Sequence, residues 1–336
     1  MLAQLPLEIV DQIVGYLDFR DVRPIARVCS ALRLPAQLRL FRYMRIGPHY
    51  EDGYPLSSPH LLQYPSRLMV GSPQGVDFQP FWPHLPAMHR LRTMKLYLTH
   101  TECSRMLSAL ENLGSAREIA LILRRELDPN VLISDNPLPV HSLKLSVDAS
   151  NHQVVKRLIQ KCSQSLRQLH LRLMYNITPP SNFLPHLYEF SAETRLYHTY
   201  ETPDLVSWFP FLGQHPTITR LSLGTQFTLT VQPSPDLLPN LQFLSATPTI
   251  IERLIPGRPV TDIFTITYSQ YGCDFPLDVV LQPLQQPFVP VTTLELKADA
   301  TIPLPSDLLV DIVQALPKLR KFTLEWTCYE VCQLFD

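Results

Sequence analysis

Few residues in this chain have the type and spacing that chemistry requires. Cys328 and Cys332 stand four apart, which would set two thiolates on one helix face as half of a zinc site. A second pair is needed, and the six cysteines contain no CxxC. His84 and His89 lie five apart and His198 has Glu201 nearby, but neither group repeats with metal-ligand spacing. GxSxG, HExxH, GxGxxG and the phosphate-loop pattern ending in Gly-Lys-Ser or Gly-Lys-Thr are absent. No catalytic residue, metal or cofactor is therefore assigned, and the chain reads as a binding protein, not an enzyme. What remains is charge recognition. Lys144, His170, Arg172 and Arg220, with Tyr97 as an aromatic anchor, are groups that hold an acidic or phosphorylated peptide. They are far apart in sequence, so a repeat must bring them together.

Such a repeat runs through most of the chain. Its core is six residues: apolar, two variable, apolar, one variable, apolar. Clear copies are Leu91/Met94/Leu96, Leu166/Leu169/Leu171, Ile218/Leu221/Leu223, Val291/Leu294/Leu296 and Leu319/Phe322/Leu324. Between them lie Ala116/Ile119/Leu121, Val140/Leu143/Leu145, Leu187/Phe190/Ala192, Leu241/Leu244/Ala246 and Val260/Ile263/Thr265. Phe41/Met44/Ile46 and Pro65/Leu68/Val70 precede these as weaker copies. The mean period is about 25 residues. The last four positions of each core alternate as a short strand does. Proline stands just ahead of Val140, Leu187, Ile218, Leu241, Val260, Val291 and Leu319, where it fixes an extended lead-in. Three longer gaps carry helical patterns. Met106, Leu107, Leu110 and Leu113 follow Thr101; Val154, Val155, Leu158 and Ile159 follow Ser150; Leu308, Leu309, Ile312, Val313 and Leu316 follow Ser306.

Strand and helix alternating at this period predict an α/β solenoid with parallel strands on one face, and residues 41–336 resemble a leucine-rich-repeat domain. Family repeats carry Asn or Cys three residues beyond the core. Thr99, Arg124, Asp148, Met174, Arg195, Gln226, Thr249, Tyr268, Asp299 and Thr327 stand there instead, which predicts irregular coils. A doubly wound α/β domain is the alternative, since it also alternates strands and helices. In a solenoid the variable core residues point outward on the concave side. Ser142, Lys144 and Ser146 are then expected beside Gln168, His170 and Arg172, with Lys95, Tyr97 and Arg220 on flanking coils. Phe243, Phe264 and Ile266 would add an apolar section. A solvated polar sheet face is the simpler account of any one of these residues. Gly47–His60, Gly71–Pro86, Gln226–Asp236 and Gly272–Pro287 read as irregular excursions. Phe78, Phe81 and Trp82 within them either pack on the coils or offer a protein-binding surface.

The first 40 residues differ from the rest. Ile9, Ile13 and Leu17 recur every fourth residue beside Val10 and Val14, behind Leu5-Pro6 and Glu8, giving one amphipathic helix. Asp21 reads as the cap of a second, with Val22, Ile25, Val28, Cys29 and Leu32 on one face. Two short helices cannot bury these faces on each other alone, so a partner surface is expected. Leu5, Pro6, Glu8, Ile9, Ile13, Leu17, Asp21, Val28, Cys29 and Arg33 stand at the characteristic positions of an F-box, which residues 1–40 resemble; Leu32 occupies a position where that family often has Trp. The resemblance implies docking of Leu5, Pro6, Glu8, Ile9, Ile13, Leu17, Val28 and Cys29 on the Skp adaptor of a cullin–RING (SCF) ubiquitin ligase. Residues 41–336 would then hold a client protein, as in the expanded F-box families of fungi. A scaffold that binds the adaptor without feeding ubiquitination, or an α/β enzyme with an unrecognised site, are the rival readings.

Composition agrees with a binding protein. Charged residues make up 18% of the 336 and the net charge is −1, so bulk electrostatics indicate neither nucleic acid nor an anionic membrane as partner. Proline is abundant, at 33, and glycine scarce, at 10, which suits rigid lead-ins to strands and not a Gly-rich phosphate loop. Glu8 and Asp11 interrupt the first apolar stretch, so it reads as no signal peptide, and no run reaches the length of a membrane helix. Reduced cysteines and a cytoplasmic or nuclear location are expected.

Overall fold

The computed structural model describes residues 5–28, 30–46, 59–71, 82–98, 109–110, 115–123, 136–147, 151–173, 179–180, 182–194, 203–268, 281–282, 284, 289–300 and 307–328. The chain divides into two compact units, Met1–Ser165 and Leu166–Asp336, each of α/β architecture with parallel strands.

The first unit opens with three helices, where the sequence predicts two. In α1 (Leu7–Tyr16), Pro6 stands just ahead of the first turn and its carbonyl accepts from the Ile9 and Val10 N–H groups. Glu8 lies in that turn, where a carboxylate complements the helix dipole. Asp21, expected as the cap of α2 (Phe19–Val28), sits inside its first turn, because the helix starts earlier; Asp18 Oδ1 accepts from the Arg20 N–H at 3.3 Å. Leu32 belongs to α3 (Ser30–Leu40), not to the second helix. The third helix supplies the core that two lacked: Val10, Val14, Val22, Leu32 and Ala36 are buried together, with Leu17, Ile25 and Leu40 against them. Arg39 of α3 donates to the Gly15 and Leu17 carbonyls, a cation meeting the unsatisfied C-terminal end of α1.

The strands follow the repeat cores. In the first unit β1 (Tyr43–Ile46), β2 (Arg67–Gly71), β3 (Thr93–Leu98), β4 (Glu118–Leu123) and β5 (Ser142–Val147) pair in parallel in chain order. Met44, Leu68, Met94, Ile119 and Leu143 share one register row. The second unit continues the pattern with β6 (Gln168–Leu173), β7 (Glu189–Thr194), β8 (Arg220–Leu223), β9 (Phe243–Ala246), β10 (Asp262–Tyr268), β11 (Thr293–Ala300) and β12 (Lys321–Cys328). Leu169, Phe190, Leu221, Leu244, Ile263, Leu294 and Phe322 form its matching row. Among the described residues, ten of the strands begin in the same way. The carbonyl just ahead of each accepts two N–H groups from the next coil, as Arg92 O does from Arg117 and Glu118 and Thr219 O does from Gln242 and Phe243. In most strands two apolar core residues turn inward and are buried, Leu169 and Leu171 among them; Thr265 of β10 is a buried polar exception and Ile46 of β1 is half-buried. The final pair, Phe322 and Leu324, is only half-buried.

Helices cover the inward face unevenly. In α4 (His152–Cys162), Val154, Val155, Leu158, Ile159 and Cys162 are buried; Asn151, not Ser150, flanks the start. Burial pushes the Cys162 thiol up to about 12, so it is an inert core group. The short α5 (Phe209–Gly213) and α6 (Pro248–Leu254) both begin near a proline. In α7 (Leu308–Ala315), Leu308 and Ile312 are buried while Leu309 and Val313, expected on the same stripe, are exposed. The predicted helix around Met106–Leu113 lies outside the described residues except Ala109 and Leu110, of which Leu110 is buried. Most of Gly47–His60, Gly71–Pro86 and Gly272–Pro287, with Phe78 and Phe81, also lies outside them. The excursion Gln226–Asp236 is folded in, since Phe227 and Leu229 are buried.

An aromatic cluster fills the core beneath β7: the Phe190 ring lies tilted against its neighbours, 5.6 Å from Trp208 and 5.1 Å from Phe211. Next to it His215 is fully buried, with Nδ1 2.6 Å from the Phe211 carbonyl and Nε2 accepting from the Leu184 N–H at 2.9 Å. This pairing requires the neutral ring with its proton on Nδ1. Burial holds the ring below its ordinary value of 6.5, against the opposing pull of the Phe211 carbonyl. The unfolded chain therefore takes up the proton first, and the stability this site gives at neutral pH is lost as pH falls below 6.5. His215→Gln should flatten that component. Urea unfolding at pH 7.5 and 5.5 is expected to show wild type losing more than the variant between the two; equal losses would refute it.

Candidate functional site

Two surfaces carry the residues singled out from the sequence. The first is the outer face of α1. Val10 and Val14 face the helical core, which leaves the i, i+4 stripe of Leu5, Ile9 and Ile13 outward. These three are 39%, 42% and 39% exposed; Leu5 precedes the helix, and for Ile9 and Ile13 the values are high for large apolar side chains within one. Tyr16, one turn beyond Ile13, is exposed as well and extends the stripe; its i+3 spacing was visible in the sequence but not used. Pro6 and Glu8 are exposed on the same segment. Leu17, expected as a contact, is half-buried against the module's own core. The side chain of Val28, and Cys29, lie outside the described residues.

The second surface is the outward side of the strands. In the first unit Lys95 lies 5.2 Å from the Tyr97 ring centre, so the expected aromatic anchor already holds a cation. Lys144 is exposed on β5, in register with Ala120 of β4. In the second unit His170, Arg172 and Arg220 all point outward as predicted, and each meets a carboxylate of β7. Glu189 lies 3.8 Å from His170 Nε2 and 3.8 Å from Arg220 Nε; it also accepts from Gln168 Nε2 at 2.8 Å. Glu193 accepts from Arg172 Nη2 at 3.3 Å. Arg220 further stacks on the Phe243 ring at 4.1 Å, tying the basic residues to the expected apolar section.

The positive lean expected of this face is therefore offset close to balance in the second unit. Sequence reasoning gathered the cations and passed over Glu189 and Glu193. Both occupy the same outward core positions as Gln168 and Arg172, so the repeat itself carried the signal. A partner with charges of both signs fits this lattice better than a uniformly acidic one. Among the described residues no three His, Cys, Asp or Glu side chains converge as metal ligands, and no helix is long and apolar enough to cross a membrane. No protein-family model matches the chain, and no curated protein matches it.

Proposed function

We propose that this chain is the substrate-recognition subunit of an SCF-type cullin–RING ubiquitin ligase, an F-box module followed by an irregular leucine-rich-repeat-like solenoid. The observation that carries the reading is the α1 stripe. A small helical module buries one face of α1 on itself and leaves Leu5, Ile9, Ile13 and Tyr16 in water. Apolar side chains so aligned are a helix-face docking surface. Leu5, Ile9 and Ile13 are among the residues by which this stretch resembles an F-box, whose partner is the Skp adaptor. The outward strand residues, including Tyr97, Lys144, His170, Arg172 and Arg220, are then the surface offered to a client protein. The subunit supplies proximity, and ubiquitin transfer takes place on other subunits.

Co-expression of the full chain with a Skp adaptor and a cullin tests this directly. A ternary complex surviving size-exclusion chromatography is expected. Adaptor bound without cullin would favour the scaffold reading, and no adaptor binding would overturn both.

A further inference from the structure

A cavity of about 590 Å³ in the first unit is lined by cations, and it lies apart from both surfaces described above. Arg42, Arg92 and Arg117 enter it from equivalent positions, each just ahead of its strand; Arg90 and His89 enter from the segment before β3. Among the described residues no Asp or Glu lines it, and no ion pair involves any of these arginines. Its neutral lining is Leu38 of α3 with Tyr64, Ser66 and Ser115.

The arrangement opposes the folding of the free protein. Neighbouring parallel strands lie about 4.8 Å apart, so Arg92 and Arg117 stand side by side as like charges. On the outward face of the second unit the arginines meet glutamates, whereas here no described residue of the walls plays that part. The Arg117 guanidinium is held in place by donating to the Pro139 carbonyl at 3.0 Å, and Ser115 Oγ donates to the Met88 carbonyl at 3.3 Å. Several guanidinium groups lining one space, one of them held by the main chain, can grip a tetrahedral dianion by paired N–H···O bonds. The cavity's size suits one or two residues of a bound chain or a small phosphorylated molecule.

We infer that this cleft is a binding site for a phosphomonoester, carried on a phosphorylated serine or threonine segment of a protein. The cations cluster within a few strand spacings, and among the described lining residues Tyr64 is the one six-membered aromatic ring, unlike the extended basic track with stacking platforms that single-stranded nucleic acid needs. The inference stands on the cavity alone and does not depend on adaptor binding.

The test is titration calorimetry of the full chain at low salt with four probes. These are inorganic phosphate, a short Gly/Ala peptide bearing one phosphoserine, the same peptide unphosphorylated, and a short single-stranded oligonucleotide. Saturable binding of the phosphopeptide, with none of the unphosphorylated form, is expected. Phosphopeptide binding at least roughly tenfold tighter than phosphate assigns a protein segment, and equal binding assigns a small phosphorylated ligand at the same site. Arg92→Glu with Arg117→Glu should abolish binding. Lys156→Glu, which changes charge on the exposed side of α4 away from the cleft and from both surfaces, should retain it. No saturable binding of either phosphorylated probe would overturn the inference. So would equal loss in the Lys156→Glu chain, or binding of a single-stranded oligonucleotide without the phosphopeptide.

Discussion

Ile9→Asp combined with Ile13→Asp is expected to abolish capture of a Skp adaptor while leaving the thermal midpoint nearly unchanged. Both side chains sit about two-fifths exposed on the outer face of α1, and the core of the module is made by Val10, Val14, Val22, Leu32 and Ala36 instead. Surface substitutions away from a core usually fall within about 0.5 kcal/mol, so folding should tolerate the pair. Binding should not. Burying an isoleucine against a partner is worth about 1.5–3 kcal/mol, and part of that gain is still available to these two. An aspartate in the same place must shed its water without a matched cation, which costs several kcal/mol more. The two effects together exceed about 4 kcal/mol, or three orders of magnitude in affinity. Pull-down with purified adaptor checks the binding and calorimetric melting checks the fold. Undiminished capture by a folded double variant would reject the F-box assignment.

The strand framework was legible because its signal repeats. Each core needs two inward apolar residues separated by one outward residue, and all twelve predicted cores coincide with a strand in the predicted register. What lies between cores has no such redundancy. The third N-terminal helix was missed because Pro35 and two arginines break its apolar pattern; Ala36, its most buried residue, is too small to mark a stripe. Leu309 and Val313 were placed inward because an i, i+4 pair fits a stripe, but Leu308, Ile312 and Leu316 form a neighbouring stripe that won the core.

The candidate sites divide along the same line. Outward strand residues followed from the register, so His170, Arg172 and Arg220 were found where expected. Their partners Glu189 and Glu193 needed the same register read for the opposite charge. The arginine cleft was harder. Arg42, Arg92 and Arg117 share one repeat position, but Arg90 and His89 come from a turn, and only the folded chain sets them against the same space. Buried polar residues left no periodic trace at all, and Arg258 is the clearest of these.

Replacing Arg258 by Met is expected to destabilise the second unit by roughly 3–5 kcal/mol, despite removing a charge from the interior. Ile255-Pro256-Gly257-Arg258 is a tight turn after α6. Gly257 takes φ +77°, a left-handed value open to glycine, and the Arg258 N–H returns to the Ile255 carbonyl at 3.0 Å. The turn drives a fully buried guanidinium among backbone carbonyls: Nε donates to Leu237 at 2.7 Å, Nη1 to Leu254 at 2.5 Å and Pro256 at 3.0 Å, and Nη2 to Ser234 at 2.7 Å. Desolvation opposes this, and it pushes the side chain down to about 10, still cationic at neutral pH. A shift of that size weighs about 3 kcal/mol against the charge. Four bonds from a charged donor, at about 1.5–3 kcal/mol each, outweigh it. The usual gain from swapping a buried ion pair for hydrocarbon does not apply, because the acceptors are main chain and stay whatever the side chain becomes. Lysine offers three donors on a single atom and cannot reach carbonyls spread around a planar fork, so Arg258→Lys should recover only part of the loss. Urea unfolding of the three chains measures this. A Met variant within about 1 kcal/mol of wild type would show that the carbonyls find other partners and that the guanidinium does not hold these coils together.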